Sequence, residues 1–368
     1  MKNDATIRRS CTALFVLFCI LYLLLFQHDV MCLVQDVLSR GQTTYRPIVT
    51  TLLLTTLLVL LQRAVRGLLG FDGRWEAVSY LPSCLVLAFV ADIDVRTLRY
   101  PLTKWVWVAA LAVGLLLLLA WLHRMMWRRK TTRHAALMWP NLLTFSLLFL
   151  LTLQLTNHNA AAHQELAAWR HATAEDYDAL AAVGERSLET TQPLSALRLL
   201  ALARTGTVGD RLFRYPQPYG ADALVMNRFN RQSTLFGADT YGRLLGDEPY
   251  GGESGMAFAR RLYARDDTPF TRDLFIAALL LDDHLDEFCR TFPPEALGDT
   301  LAPIHYREAW LLEAHLNPAF LYTDDELQPT LDAFLAVLHD DSLTPVANRN
   351  TRFRYYGKTF YDYYYRKQ

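Results

Sequence analysis

Apolar residues in the first 156 positions come in long runs, whereas after position 157 they recur at every third or fourth residue. The two patterns predict two kinds of helix. A hydrocarbon core about 30 Å thick needs roughly 20 residues of apolar helix to cross it. Five segments approach that length, at about 11–26, 47–61, 80–91, 105–122 and 137–155. The fourth is the most apolar, with Trp105 and Trp107 at one end and Trp121 and Trp127 at the other, where interfacial aromatics belong. The third is the shortest, a clean apolar stretch over 85–91 behind Pro82. The first runs into Gln27, His28 and Asp29 without a small-residue cleavage site, so it reads as an uncleaved span.

Beyond 157 the spacing predicts amphipathic helices over 160–172, 174–187, 193–205, 208–215, 237–245, 252–264, 269–281, 285–292, 303–315, 324–339 and about 353–365. Leu194, Leu197, Leu200 and Ala201 mark one such face; Leu327, Leu331, Phe334, Leu335 and Leu338 mark another. Gly206, Gly209, Pro216, Pro218, Gly246, Pro249, Pro293, Pro294 and Pro318 punctuate them. No run alternates as a strand would. The expected fold is therefore all-α: a bundle of five transmembrane helices over 1–156, then a soluble helical-repeat domain over 157–368. Short helices in pairs suggest a tetratricopeptide-like solenoid. Tyr241-Gly242-Arg243-Leu244-Leu245-Gly246 followed by Gly255-Met256-Ala257-Phe258-Ala259 comes nearest to such a repeat.

Charge orients the spans. The chain is neutral overall, with 37 basic and 37 acidic residues. Residues 1–156 nevertheless carry 16 Lys/Arg against 7 Asp/Glu, and 157–368 carry 21 against 30. Basic loops stay in the cytoplasm. Lys2, Arg8 and Arg9, then Arg63, Arg66 and Arg74, then Arg124, Arg128, Arg129, Lys130 and Arg133 mark that side. Arg40, Arg46, Arg96, Arg99 and Lys104 mark the other. The amino terminus is then inside and the acidic domain outside, and an acidic domain lacks the basic footprint that nucleic acid requires.

Leu197-Arg198-Leu199-Leu200-Ala201-Leu202-Ala203-Arg204-Thr205-Gly206 leads into Gly209-Asp210-Arg211-Leu212-Phe213. With Pro303-Ile304-His305-Tyr306-Arg307-Glu308-Ala309 and the ending Tyr355-Tyr356-Gly357 through Tyr365, it resembles an uncharacterised Gram-negative bacterial membrane family. That resemblance implies an apolar N-terminal half and a tetratricopeptide-like C-terminal half, and it transfers no active residue.

Candidate chemistry is sparse. The five segments carry no ionisable residue at mid-span, which argues against a coupled transporter. Asp92 and Asp94 resemble the acidic pair of some membrane glycosyltransferases, but two carboxylates at that spacing are common in span-ending loops. His158, His163 and His171 lie at gaps of five and eight, not the four that a helical zinc pair requires. Asp282, Asp283, Asp286 and Glu287 read as charges at a helix start. Cys32 and Cys289 are two scattered thiols rather than a disulfide framework. The aromatic ending, Phe353, Tyr355, Tyr356, Phe360, Tyr361, Tyr363, Tyr364 and Tyr365, reads first as a cap on the last repeat. The alternatives are a membrane-interface segment, from the interleaved Arg352, Arg354, Lys358, Arg366 and Lys367, and a ligand platform of Tyr361, Tyr363, Tyr364 and Tyr365. No catalytic residue, metal ligand or cofactor is expected. The expected function is a bacterial inner-membrane protein whose periplasmic domain binds a protein or peptide partner in the envelope, as a scaffold or assembly factor. The rivals are an enzyme of envelope polysaccharide or lipid chemistry and a transporter subunit.

Overall fold

The computed structural model describes residues 2–39, 42–43, 45–94, 99–126, 134–157, 159–225, 238–297 and 302–367. Arg40, Arg96, Trp127, Arg128, Arg129, Lys130, Arg133 and His158 lie outside the described residues. Among those described, all regular elements are helices, and the β feature is an isolated bridge between Asp94 and Arg99. The chain divides into two compact units, Met1–Asn159 and Ala160–Gln368.

In the first unit, α1 (Lys2–Leu21) runs on through one wide turn at Tyr22–Phe26, followed by α2 (His28–Ser39) and α3 (Pro47–Leu69). A 3₁₀ segment, Gly73–Tyr80, passes directly into α4 (Leu81–Val90), and α5 (Leu102–Met126) and α6 (His134–Leu155) complete the unit. Pro47 opens α3 where its missing N–H costs nothing, and Gly70 closes it at φ 72°, its N–H on the Arg66 carbonyl. Among the described residues, four helices are long and apolar enough to cross a membrane: Ala5–Phe26, Pro47–Leu69, Leu102–Met125 and Met138–Leu155.

The segment expected to cross at 80–91 is shorter than that. The ten residues of α4 rise only about 15 Å. Pro82 marks its start, and the N–H groups of Ala91 and Asp92 close it on Leu87 and Phe89. Its role is core. Tyr80, Leu81, Cys84, Leu87 and Ala88 are buried, and the Tyr80 ring lies 4.8 Å from Phe15 and 5.0 Å from Phe145. The long helices leave large side chains such as Leu53, Leu57, Val106, Leu111, Leu117, Leu143 and Leu147 exposed. Contiguous apolar surface of this kind is what a bilayer covers.

The second unit comprises α7 (Ala160–Thr173), α8 (Tyr177–Ala182), α9 (Gln192–Thr205), α10 (Val208–Arg211), α11 (Ala238–Leu245), α12 (Gly255–Arg265) and α13 (Pro269–Leu281). Then come α14 (Leu285–Thr291), α15 (Ile304–Leu316), α16 (Gln328–Leu338), α17 (Pro345–Tyr356) and α18 (Phe360–Lys367). Hydroxyl groups cap the starts of several of them. Thr191, Ser254, Thr268 and Thr344 each accept a backbone N–H from the first turn, and Thr268 with Thr271 forms a reciprocal capping pair. Helices α9 and α13 form the centre. Every residue from Leu194 to Ala203 is buried, as is every residue from Leu274 to Leu281, and the two helices pack on each other. A helix buried all round lacks a solvent face, so the three/four periodicity of α9 marks only part of what it buries. The last expected helix, 353–365, is divided in two: Gly357 ends α17 with its N–H on the Phe353 carbonyl, and α18 restarts at Phe360.

Candidate functional site

Polar groups inside the first unit cluster around the 3₁₀ segment, whose geometry leaves backbone groups needing partners. Asn141 on α6 accepts the Ala77 N–H at 2.8 Å and donates to the Gly73 carbonyl at 2.8 Å. Gln62 donates to Ser79 at 2.7 Å, and Arg66 pairs with the buried Glu76 at 2.9 Å. The Thr12 and Tyr80 hydroxyls meet at 2.9 Å, and Ser83 donates to the Leu58 carbonyl at 2.7 Å. These contacts tie α1, α3 and α6 to the segment and account for its placement. Asp92, one of the two carboxylates expected to serve an enzyme, accepts Lys104 at 2.8 Å and the Trp105 indole at 2.7 Å. A carboxylate held by a lysine and an indole is already neutralised, which weakens its claim to a metal-bound phosphate.

The tyrosine-rich end turns inward. Tyr361 and Tyr363 are buried, and Tyr364 and Tyr365 pack half-buried against the same core. Tyr363 donates its hydroxyl to the Leu281 carbonyl at 2.8 Å and lies 4.9 Å from the Phe213 ring. The Phe360 N–H bonds Glu308 at 2.8 Å, and Lys367 reaches the Leu281 carbonyl at 2.6 Å. Helix α18 thus joins α13, α15 and α10's neighbourhood rather than displaying four rings together. Lys367 also stands 3.5 Å from both Asp282 and Asp283. Asp286 pairs with Arg290 and Glu287 with Arg260, each at 2.7 Å. Of the histidines, His171 faces Asp176 at 3.6 Å.

The feature that sequence reasoning missed lies between α7, α8 and α9. An open cavity of about 450 Å³ is lined by Gln164, Ala182, Gly184, Glu185, Arg186 and Ser187. Behind Gly184 lies Arg198, only 1% exposed on the central helix. Its Nε donates to the Val183 carbonyl and its Nη1 to the Thr190 hydroxyl, both at 3.1 Å. The guanidinium sits 5.0 Å from the Tyr215 ring centre, and Tyr215 is held by donating to the Ala181 carbonyl. Among the described residues no carboxylate pairs with Arg198. Burial pushes its pKa down to about 10. Its Nη2 and the Gln164 Oε1 are both buried without a partner. Gly184 has φ 65°, and a Cβ there would overlap Arg198 Nη2 and lie 2.6 Å from Gln164 Oε1. At the cavity's edge Glu185 is shared by Arg211 at 3.7 Å and Arg214 at 3.5 Å. The one sequence signal was a charge in the middle of Leu197-Arg198-Leu199, where an all-round apolar helix should have none.

No curated protein and no solved structure matches this chain. A family model does match, described as a family of unknown function, DUF6057, over residues 5–244, which takes in all but the first four residues of the first unit and the residues lining the cavity beside Gly184. With most of its length covered by that match, the chain belongs to DUF6057.

Proposed function

We propose that this is a bacterial inner-membrane protein, cytoplasmic at its amino terminus, whose helical unit lies in the periplasm and binds a protein or peptide component of the envelope as a scaffold or assembly factor. The observation that carries the binding role is the cavity over Arg198, a concave site with an uncompensated buried charge. Consecutive helices pack as α8 on α9 and α12 on α13, the pairwise arrangement from which tetratricopeptide-like binding surfaces are built.

Charge supports the orientation and a fifth crossing. The backbone is helical from Gly73 through Val90. At about 2.0 Å per residue for the 3₁₀ part and 1.5 Å for α4, its contour approaches the roughly 30 Å of a hydrocarbon core. With five crossings, 11 of the 16 basic residues before 157 fall on the cytoplasmic side. Without that crossing the basic stretch 123–134 would lie outside.

Alkaline phosphatase fused at Gln192 should be active, and a cytoplasmic reporter fused after Arg133 should be active. Photo-crosslinking in cells from position 187, at the cavity, should give a discrete adduct that a control at the exposed Leu321 lacks. An inactive phosphatase at Gln192 overturns the topology. Identical crosslinking at both positions overturns the binding role.

A further inference from the structure

We propose that the cavity beside Gly184 is an oxyanion site, taking a carboxylate or phosphate group of a larger ligand, with Arg198 supplying the charge from beneath. The inference rests on the binding role proposed above and names the chemistry it would recognise.

A guanidinium withdrawn from water is unfavourable unless it is paired. Other arginines set into this unit are paired. Arg307 forms a two-pronged contact with Asp324 at 2.7 and 2.9 Å, and Arg261 meets Asp247 at 2.6 Å and Glu253 at 2.9 Å. Arg352 faces Asp362 at 4.0 Å. Arg198 is more deeply buried than any of these, yet it finds only neutral oxygens and an aromatic ring. Its one unspent nitrogen, Nη2, is directed at Gly184 in the cavity wall. Glycine at that position lets Nη2 lie directly against the backbone of the cavity wall, where any Cβ would overlap it. Gln164, also in the wall, brings a second unpartnered polar atom to the same place. Its amide can turn to present N–H groups to an anion, since oxygen and nitrogen there are interchangeable in shape.

The surroundings reinforce the sign. Residues 157–368 carry 30 acidic against 21 basic residues, yet this corner sets Arg186, Arg198, Arg211 and Arg214 against two carboxylates, Glu185, shared by Arg211 and Arg214, and the buried Glu165, which accepts the Thr191 hydroxyl at 2.9 Å. A basic recess in an acidic domain draws anions to one place. The volume exceeds that of one phosphate, so the oxyanion would be one group of the bound molecule.

The test uses the full chain purified in detergent. Inorganic phosphate and acetate are each titrated against chloride at constant ionic strength, following thermal unfolding and heat of binding. A saturable rise in melting temperature with phosphate or acetate, absent with chloride, is expected; whichever ion gives it identifies the group. Gln164→Glu places a carboxylate beside Nη2. It should raise the melting temperature without added ions and weaken anion binding at least tenfold. Gly184→Ala should weaken binding similarly, because its Cβ would displace Nη2 from the cavity wall. Arg198→Met should abolish it, and if that variant does not fold, Gln164→Glu still decides. No difference between chloride and the two oxyanions, or an undiminished response in Gln164→Glu, overturns the proposal. The reporter fusions and in-cell crosslinking are independent of this binding assay, so either reading can fail without the other.

Discussion

Tyr361 and Tyr363 stand two residues apart on one short helix, and removing the hydroxyl from each should change stability in opposite directions. The Tyr361 ring is fully buried beside Phe334 at 6.0 Å, and its hydroxyl has no hydrogen-bond partner. Burial accordingly drives its pKa upward. An unmet buried hydroxyl costs about 1–3 kcal/mol, so Tyr361→Phe should stabilise the helical unit by about 1 kcal/mol. Tyr363 donates to the Leu281 carbonyl, so Tyr363→Phe loses a real bond. Lys367 still serves that carbonyl at 2.6 Å, which holds the loss to about 0.5–1 kcal/mol. Truncating the ring instead, Tyr361→Ala, should cost about 3–5 kcal/mol. In a domain of this size each kcal/mol moves the melting temperature by about 2–4 °C. Tyr361→Phe should therefore melt a few degrees higher, Tyr363→Phe about 1–4 °C lower, and Tyr361→Ala at least about 6 °C lower. Cys289 is buried in the same unit, so its labelling against temperature, read by peptide mass spectrometry, follows this unit alone. A neutral Tyr361→Ala would refute the packing argument and return the ring to a ligand-facing surface. A destabilising Tyr361→Phe would show that its hydroxyl is bonded after all.

Three further outcomes are expected. Asn141→Leu strips the Ala77 N–H and the Gly73 carbonyl of their partner, so the first unit should lose about 2–4 kcal/mol; earlier labelling of the buried Cys11, Cys19 and Cys84 on heating would report it. Asp273 is raised to about 7 by burial, against the pull of Arg272. The folded state therefore holds a proton that the unfolded chain releases near pH 4, and this contribution to stability is lost as pH rises from about 4 through 7. Asp273→Asn should match the parent at pH 4 and exceed it by on the order of 2 kcal/mol at pH 8, as measured by denaturant unfolding. Breaking the buried Arg307–Asp324 pair with Asp324→Ala should cost about 3–5 kcal/mol, because it strands a charge, and a smaller loss in chemical denaturation would show that Glu326 compensates.

Long apolar runs and three/four periodicity were enough to establish an all-helical chain with helices able to cross a membrane. Local chemistry also marked several boundaries: Pro47 at the start of α3, Pro269 at the start of α13 and Gly206 at the end of α9. These signals act within a turn or two, so they are legible without knowing what the helix touches. The segment around 80 was different. Its apolar content was visible, but its short α-helical length and its 3₁₀ lead-in depend on Asn141, Gln62 and Tyr80 meeting across three other helices. The tyrosine-rich end likewise offered two readings from composition alone, and the turn at Gly357 that sends Tyr361 and Tyr363 inward involves Leu281 and Glu308 from distant helices. Arg198 is the clearest case. Periodicity assigned α9 one buried face, and a charge beside it would ordinarily reach water. Burial on every side came from Val183, Thr190 and Tyr215, which the fold gathers around the guanidinium. A sequence pattern reports how one helix could meet solvent, whereas the cost and use of a buried charge depend on which atoms other elements bring within about 3 Å of it.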